Sequence, residues 1–317
     1  MAHGKVTILG INGHIGHHLG EAFAAAGWEV VGFGRSNKQP IAGVRFVQGD
    51  AESVADMRRA IGDSEVVVNA LNLPYHLWDK GRMEALHARV IEAMGKSGKT
   101  MLFPGNIYNY AMTDRVLTPE LEQNPETPRG AIRVRVEQML ETAARTGGMQ
   151  VLVLRAGDYF GPESSGDWFD QAILREAGRG KAAILGRPGV GHAWAYLPDI
   201  TRAFETLARL RKEFATFESF HFAGHYVTPA EMQAAIVKAA PVALEVKPFP
   251  WLLLSVLGIV DPVLRSVAKM GYLWQHPMAL RDPRLDAILG TDFDTPFETA
   301  VAATVAPHFD NAARRAA

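Results

Sequence analysis

Three glycines near the amino terminus have a spacing that suits phosphate binding. Gly10-Ile-Asn12-Gly13-His14-Ile15-Gly16 follows the apolar run Lys5-Val-Thr-Ile-Leu9. Gly10 would let the chain turn sharply after a strand, and Gly13 would let backbone approach a pyrophosphate with no Cβ in the way. Gly16 would let the next helix pack closely on that strand, so that its amino-terminal N–H groups and dipole face the phosphates. A glycine-rich turn with no ligand is the plainer reading of a lone triplet. Here a β-branched run precedes the loop and an amphipathic stretch from Ile15 to Ala26 follows it, which favours a nucleotide. The chain has no cysteine, so disulfides, thiolate zinc sites and cysteine nucleophiles are excluded.

Alternating elements would position that loop. Val6-Leu9, Glu29-Phe33, Val44-Gln48, Glu65-Asn69, Thr100-Phe103 and Met149-Arg155 read as short strands, apolar enough for a parallel sheet covered on both faces. Helical periodicity fills the gaps at 15–26, 54–61, 83–95 and 129–146. This alternation predicts an α/β fold, a doubly wound parallel Rossmann sheet whose ligand lies beyond the strands' carboxyl ends. After Arg155 the rhythm changes. A helix is expected from about Trp168 to Arg179, a strand at Ala182-Leu185, a helix from Pro198 to Arg211 and a strand near Ser219-Phe222. Thr228 and Glu231 form a capping-box pattern that opens a further helix. The expected organisation is a dinucleotide-binding domain over 1–155. A smaller, mostly α-helical C-terminal substrate cap over 156–317 interleaves with the last sheet strands.

The GxxGxxG spacing resembles the short-chain dehydrogenase/reductase superfamily, in its extended, epimerase/dehydratase-like branch, over residues 5 to 210. The resemblance implies a nicotinamide dinucleotide held by Gly10, Asn12, Gly13, His14, Ile15 and Gly16. It brings Asp50 and Ala51 to the adenine, runs Ala70-Leu71-Asn72 along the cofactor and takes Ala156 past the nicotinamide carboxamide. Asp50 also suits an N-cap for the 54–61 helix. An NAD-preferring site usually ends its second strand on Asp or Glu, whereas this chain has Gly32-Phe-Gly-Arg35-Ser36-Asn37-Lys38. Arg35 could pair with a 2′-phosphate and Ser36 could add a hydrogen bond, which favours NADP(H) over NAD(H). The alternative is that Arg35 is a solvated loop arginine.

The family's Tyr-x-x-x-Lys pair and its Ser or Thr after the fifth strand are replaced. Phe103-Pro104-Gly-Asn106-Ile-Tyr108-Asn-Tyr110 resembles the strand-five motif, with Pro104 at the serine position. Aligned through Glu137, Arg129 falls on the tyrosine and Arg133 on the lysine. Spaced i and i+4, both arginines could face the nicotinamide, and Arg133 could hold its ribose. Arginine stays protonated and cannot relay a proton, so Tyr108 and Tyr110 become the nearest candidate acids. The opposing reading leaves both arginines solvated, with Arg133 paired to Glu137.

Substrate contacts are expected from His76, Asn106, Tyr110, Tyr159, His192 and Trp194. His76 and His192 also suit structural roles, and Asp158 suits a turn. Asp199, in a segment resembling the branch's Phe-Val-x-Val-x-Asp-Val, is expected to cap the following helix. Trp168, Phe169, Trp194, Trp251, Leu252 and Trp274 suggest an apolar cap and hence a partly apolar substrate.

The length of 317 residues allows a large core, and 48% hydrophobic with 21% charged residues is ordinary for a globular chain. A net charge of −1 argues against nucleic acid as a partner. Without a charged, apolar leader, a cytoplasmic location is expected. Phe249 to Val260 falls short of the roughly 20 residues a spanning helix needs, and reads as a buried or pocket-lining helix. Docking on a membrane surface is the lesser alternative because a basic face is missing, so no membrane partner is expected. The composite expectation is an NADP(H)-preferring oxidoreductase acting on a small carbonyl or alcohol. The alternatives are an inactive NADP(H) sensor and an epimerase or dehydratase with tightly held NAD. A homodimer and the absence of metal complete it.

Overall fold

Each of the six apolar runs expected in the first half is a strand, and all but the edge run Val44–Gln48 are largely buried because sheet neighbours and helices cover both faces. A computed structural model describes residues 3–113, 115–163 and 166–316, with side chains through 309. In chain order its first elements are β1 (Lys5–Leu9), α1 (His14–Ala25), β2 (Glu29–Gly34), β3 (Val44–Gln48), α2 (Val54–Ile61) and β4 (Val66–Asn69). There follow α3 (Arg82–Met94), β5 (Thr100–Asn106), β6 (Val116–Leu117), α4 (Pro128–Arg145), β7 (Gln150–Ala156), β8 (Asp158–Phe160), β9 (Lys181–Ile184) and β10 (His192–Tyr196). The remainder holds α5 (Leu197–Arg209), β11 (Phe217–His221), β12 (His225–Val227), α6 (Pro229–Ala239) and β13 (Glu245–Pro248). Last come α7 (Trp251–Leu257), α8 (Pro262–Ala268), β14 (Ala279–Leu280), α9 (Pro283–Leu289) and α10 (Phe297–Ala316).

The chain divides into two compact units. The first comprises 1–111, 119–155 and 200–221, and the second 112–118, 156–199 and 222–317. The first unit is built on a parallel seven-stranded sheet in the order β11-β7-β5-β4-β1-β2-β3. Central β4 is buried throughout, whereas edge strand β3 is largely half-exposed or exposed. The strand order reverses between β1 and β4. That switch point opens a crevice at the strands' carboxyl ends, where ligands of such sheets bind. Helix starts follow local chemistry: Ser53 caps α2 by accepting from the Asp56 amide, and Thr127 caps α4 by accepting from Gly130, with Pro128 in the first turn.

The second unit is more mixed than the expected helical cap. Its helices α6 to α10 accompany a three-stranded sheet, β12-β10-β8, and the two-stranded pairs β13-β9 and β14-β6. The expected capping box opens α6, with Thr228 and Glu231 bonded reciprocally. The helix expected from Trp168 to Arg179 is instead a single π turn at Phe169–Ile173 and a 3-10 turn at Ala177–Arg179. Trp168 packs on Trp274 while its neighbour Phe169 packs on Trp194 within the same aromatic cluster. Asp199 does not cap α5 but lies in its first turn, where its carboxylate accepts from the backbone and the hydroxyl of Thr295 at 2.7 and 2.8 Å.

Candidate dinucleotide site and its neighbouring side chains

The glycine loop has the geometry its spacing implied. Gly10 adopts φ +90°, and a Cβ there would meet the Ala70 carbonyl oxygen at 2.9 Å, across the switch point. A Cβ on Gly16 would lie 2.2 Å from the Gly10 oxygen, so only glycine lets α1 rest on the loop. Gly13 is the N-cap of α1, with no capping side chain and no acid in the first turn. A Cβ there would meet nothing nearer than 3.4 Å, leaving its outer side open to a phosphate. His14 is half-buried, whereas Ile15 is buried and contributes backbone to the loop's outer face.

Asn12 ties this loop to the end of β2, donating to the Ser36 carbonyl at 2.6 Å. Arg35 and Ser36 are exposed there, and Arg35 makes no hydrogen bond or ion pair among the described residues. Asp50 is exposed after β3, with Oδ1 accepting from the Glu52 amide at 2.9 Å and Ala51 half-buried beside it. It does not cap α2, since Ser53 does. Beyond β4, Leu71 is half-buried, Asn72 accepts from the Leu73 amide, and the Trp78 indole donates to the Leu73 carbonyl at 2.7 Å. These bonds fix the backbone that would run along a dinucleotide.

Next to the switch point two phenols meet. Tyr108 sits on a 3-10 turn after β5, capped by Asn106 Oδ1 accepting from the Tyr108 amide at 3.0 Å. Its hydroxyl is 2.8 Å from that of Tyr75, which lies on a turn after β4. Tyr75 lacked a distinguishing signal in the sequence. The Arg129 guanidinium lies 5.2 Å from the Tyr75 ring centroid and donates to the Tyr75 carbonyl at 3.4 Å. Arg133 donates to the Pro104 carbonyl at 2.6 Å and lies 4.9 Å from the Phe103 ring centroid. Gly130, between the arginines, admits this packing, for a Cβ would fall 2.1 Å from the Tyr108 carbonyl oxygen.

The solvated reading of these arginines is therefore corrected. Arg129 is 9% and Arg133 5% exposed, and Glu137 pairs with Arg155 rather than with Arg133. Arg155, Glu137, His221, Tyr110, Gln123 and Asn109 form a buried polar network. Tyr110 bonds His221 Nε2 at 3.0 Å and, like Tyr108, is buried, at 2% against 6% exposure. His76 lies exposed on the Tyr75–Leu77 turn. On α3, His87 is fully buried, its Nδ1 3.0 Å from the Asn69 amide nitrogen. Burial, then the nearby Arg133 charge, pushes its pKa down to about 3.

The second unit carries its own cluster. His192 on β10 bonds Asp158 on β8 at 2.8 Å, and its ring stacks 3.8 Å from that of Trp274. His192, Trp194 and Trp274 line a pocket with Met232, Gln233 and Ile236, enclosing about 410 Å³ of empty space, part of it open to solvent. Tyr159 on β8 is half-buried and Ala156 at the end of β7 is fully buried. Leu252, expected in the apolar cap, is instead 81% exposed. Hydropathy alone could not tell a buried α7 from an exposed one.

Among curated proteins none matches this chain. Solved structures match it end to end at low identity. MoeE5 in complex with UDP-glucose and NAD is 18% identical, with 99% of each chain covered and a TM-score of 0.76. UDP-glucose 4-epimerase of Thermus thermophilus, in complex with NAD, is 19% identical, with 96% of this chain and 99% of that one covered and a TM-score of 0.73. UDP-glucuronic acid 4-epimerase from Bacillus cereus, in complex with UDP-glucuronic acid and NAD, is 14% identical over 98% and 99%, with a TM-score of 0.75. Such likeness speaks for the fold. Residues 6–220 match the NAD dependent epimerase/dehydratase family, and with the glycine loop at the switch point this places the chain in that family, within the extended short-chain dehydrogenases/reductases.

Proposed function

We propose that this chain is an NADP(H)-preferring oxidoreductase acting on a small, partly apolar carbonyl or alcohol, with a phenol pair in place of the usual Tyr-x-x-x-Lys relay. The hydrogen bond between Tyr75 and Tyr108, on the turns that follow β4 and β5, is the observation that carries this reading. The open amino terminus of α1 and the uncapped Gly13 suit a pyrophosphate, and unpaired Arg35 suits a 2′-phosphate. When bound, the nicotinamide supplies or accepts the hydride.

The chain's residues do the rest. Tyr108 Oη gives a proton to the substrate oxygen in reduction, or takes one in oxidation, and Tyr75 Oη exchanges it onward. The Arg129 guanidinium, 5.2 Å from the Tyr75 ring centroid, holds that ring in place by cation–π attraction. Arg133, held on the Pro104 carbonyl, orients the strand-five backbone beside the reacting carbon.

A second reading, an epimerase with retained NAD, is favoured by the family itself and by relatives whose structures hold NAD and a nucleotide sugar. The test is to identify the dinucleotide by native mass spectrometry and to follow NADPH oxidation with a panel of aldehydes and ketones. NADPH-dependent turnover is expected. Retained NAD with sugar-nucleotide epimerisation would establish the second reading, and NADPH binding without turnover would make the chain a sensor.

A further inference from the structure

We propose that the pocket of the second unit binds an uncharged, largely hydrocarbon molecule carrying one carbonyl oxygen. All of its lining belongs to that unit, and the inference stands independently of the reaction proposed above. β9 and β13 pair in parallel, with Ala182 opposite Val246, and supply one wall. Met232, Gln233 and Ile236 share a face of α6, whose start is fixed by the capping box of Thr228 and Glu231. His192 and Trp194 come from β10, and Trp274 from the 3-10 turn Gly271–Trp274. Gly186 lets that turn close on the end of β9, because a Cβ there would meet the Trp274 carbonyl oxygen at 2.8 Å. Part of the space is open to solvent, which gives a small molecule entry.

Charge decides the class of ligand. Among the described lining residues His192 is the one ionisable side chain, and both of its ring nitrogens are engaged. Nε2 lies 2.8 Å from Asp158 Oδ2 and Nδ1 lies 3.3 Å from the Leu273 carbonyl oxygen, while the ring stacks on Trp274. No arginine or lysine lines the pocket to receive a carboxylate or phosphate. An anion entering here would lose its water and gain no cation in return.

Two polar groups of the same lining specify the carbonyl. The indole N–H groups of Trp28, Trp78 and Trp251 donate to Glu205, the Leu73 carbonyl and the Leu185 carbonyl. The indole nitrogen of Trp274 is buried with no acceptor among the described residues. Gln233 is half-buried and makes no hydrogen bond among the described residues. A buried donor left unmade is costly, and a ligand acceptor beside Trp274 removes that cost. A carbonyl oxygen has two lone pairs and no charge, which matches the indole N–H and the Gln233 amide. Ile173, Leu185, Met232 and Ile236 meet the hydrocarbon remainder.

The test titrates the full chain, without dinucleotide, with three molecules of one shape: acetophenone, benzoate and isopropylbenzene. The readout is the proton–nitrogen resonance of the Trp274 indole, assigned by its loss in Trp274→Phe. Acetophenone should shift that resonance to saturation, and benzoate should bind at least about tenfold more weakly. Isopropylbenzene, which lacks the oxygen, should bind about 2- to 10-fold more weakly than acetophenone. Followed by calorimetry, Trp274→Phe should weaken acetophenone by a similar factor and leave isopropylbenzene unchanged. A folded Ala183→Phe variant, with a ring placed in the pocket, should bind neither. A Trp274 resonance that stays in place throughout the acetophenone titration overturns the proposal, as does unchanged binding in Ala183→Phe. Benzoate bound as tightly as acetophenone, or acetophenone displaced by UDP-glucose, overturns the assignment of an uncharged ligand.

Discussion

The hydroxyls of Tyr75 and Tyr108 stand 2.8 Å apart, although 33 residues separate them in the chain. They meet because β4 and β5 are sheet neighbours, and each strand ends in a short 3-10 turn carrying one tyrosine. Gly130 lets α4 close over the Tyr108 backbone and brings Arg129 to the Tyr75 ring. A phenol donor, a second phenol and a fixed cation are thereby assembled without the family's tyrosine and lysine.

If that pair moves the proton, Tyr108→Phe should lower kcat by about 10²- to 10⁴-fold while dinucleotide affinity stays level. Tyr75→Phe should cost less, because Tyr108 would still face the substrate. Steady-state kinetics with a parallel fluorescence titration of NADPH separates the two effects. Full turnover in Tyr108→Phe would move the acid elsewhere.

Arg35 is exposed at the end of β2, beside the loop that Asn12 ties down. A guanidinium on a 2′-phosphate makes charge-assisted hydrogen bonds of about 1.5–3 kcal/mol, roughly 10- to 150-fold in affinity. Arg35→Ala should therefore weaken NADP(H) by that factor and leave NAD(H) nearly unchanged, as read by calorimetry. Equal losses for both dinucleotides would remove the 2′-phosphate assignment.

Much of the first unit was legible because doubly covered strands read as unbroken apolar runs and helices announce themselves through caps such as Thr127 and Thr228. The glycine loop was legible because close backbone approach admits no other residue at Gly10 and Gly16. Tyr75 was not, since its significance arises only where two strands pair. Burial of Arg129 and Arg133 was equally hidden, because the aromatic and carbonyl partners Tyr75, Phe103 and Pro104 come from distant segments. At α7 the apolar pattern was plain, but which side of it meets solvent depends on what the rest of the chain leaves uncovered.

His87 should make stability depend on pH. Its folded pKa is pushed down to about 3 from 6.5, so above about 6.5 both folded and unfolded chains hold it neutral and its contribution is fully present. As pH falls from there toward 3, the unfolded chain takes up a proton that the folded one refuses. Stability should then drop by up to about 1.4 kcal/mol per pH unit from this group alone. His87→Gln keeps an acceptor for the Asn69 amide but cannot titrate, so its urea-denaturation profile should be flatter by that slope. Parallel profiles would show that His87 does not titrate differently on folding.

The ion pair of Glu137 with Arg155 bears on stability rather than chemistry. Both side chains are about 2% exposed, Arg155 Nε lies 3.2 Å from Glu137 Oε2, and Gln123 donates to the same carboxylate at 3.3 Å. Removing one charge leaves the other buried without compensation, a cost of about 3–5 kcal/mol. Glu137→Gln should therefore lower the unfolding free energy by that amount in urea denaturation. The double variant Glu137→Leu, Arg155→Met should recover most of it, because two apolar side chains of similar volume need no solvation. Since His221 Nε2 also lies 3.2 Å from Arg155, the double variant loosens Tyr110 and His221 too, and its recovery should be incomplete. A Glu137→Gln variant as stable as the parent would mean that His221 Nε2 and the introduced amide oxygen suffice to hold the Arg155 charge.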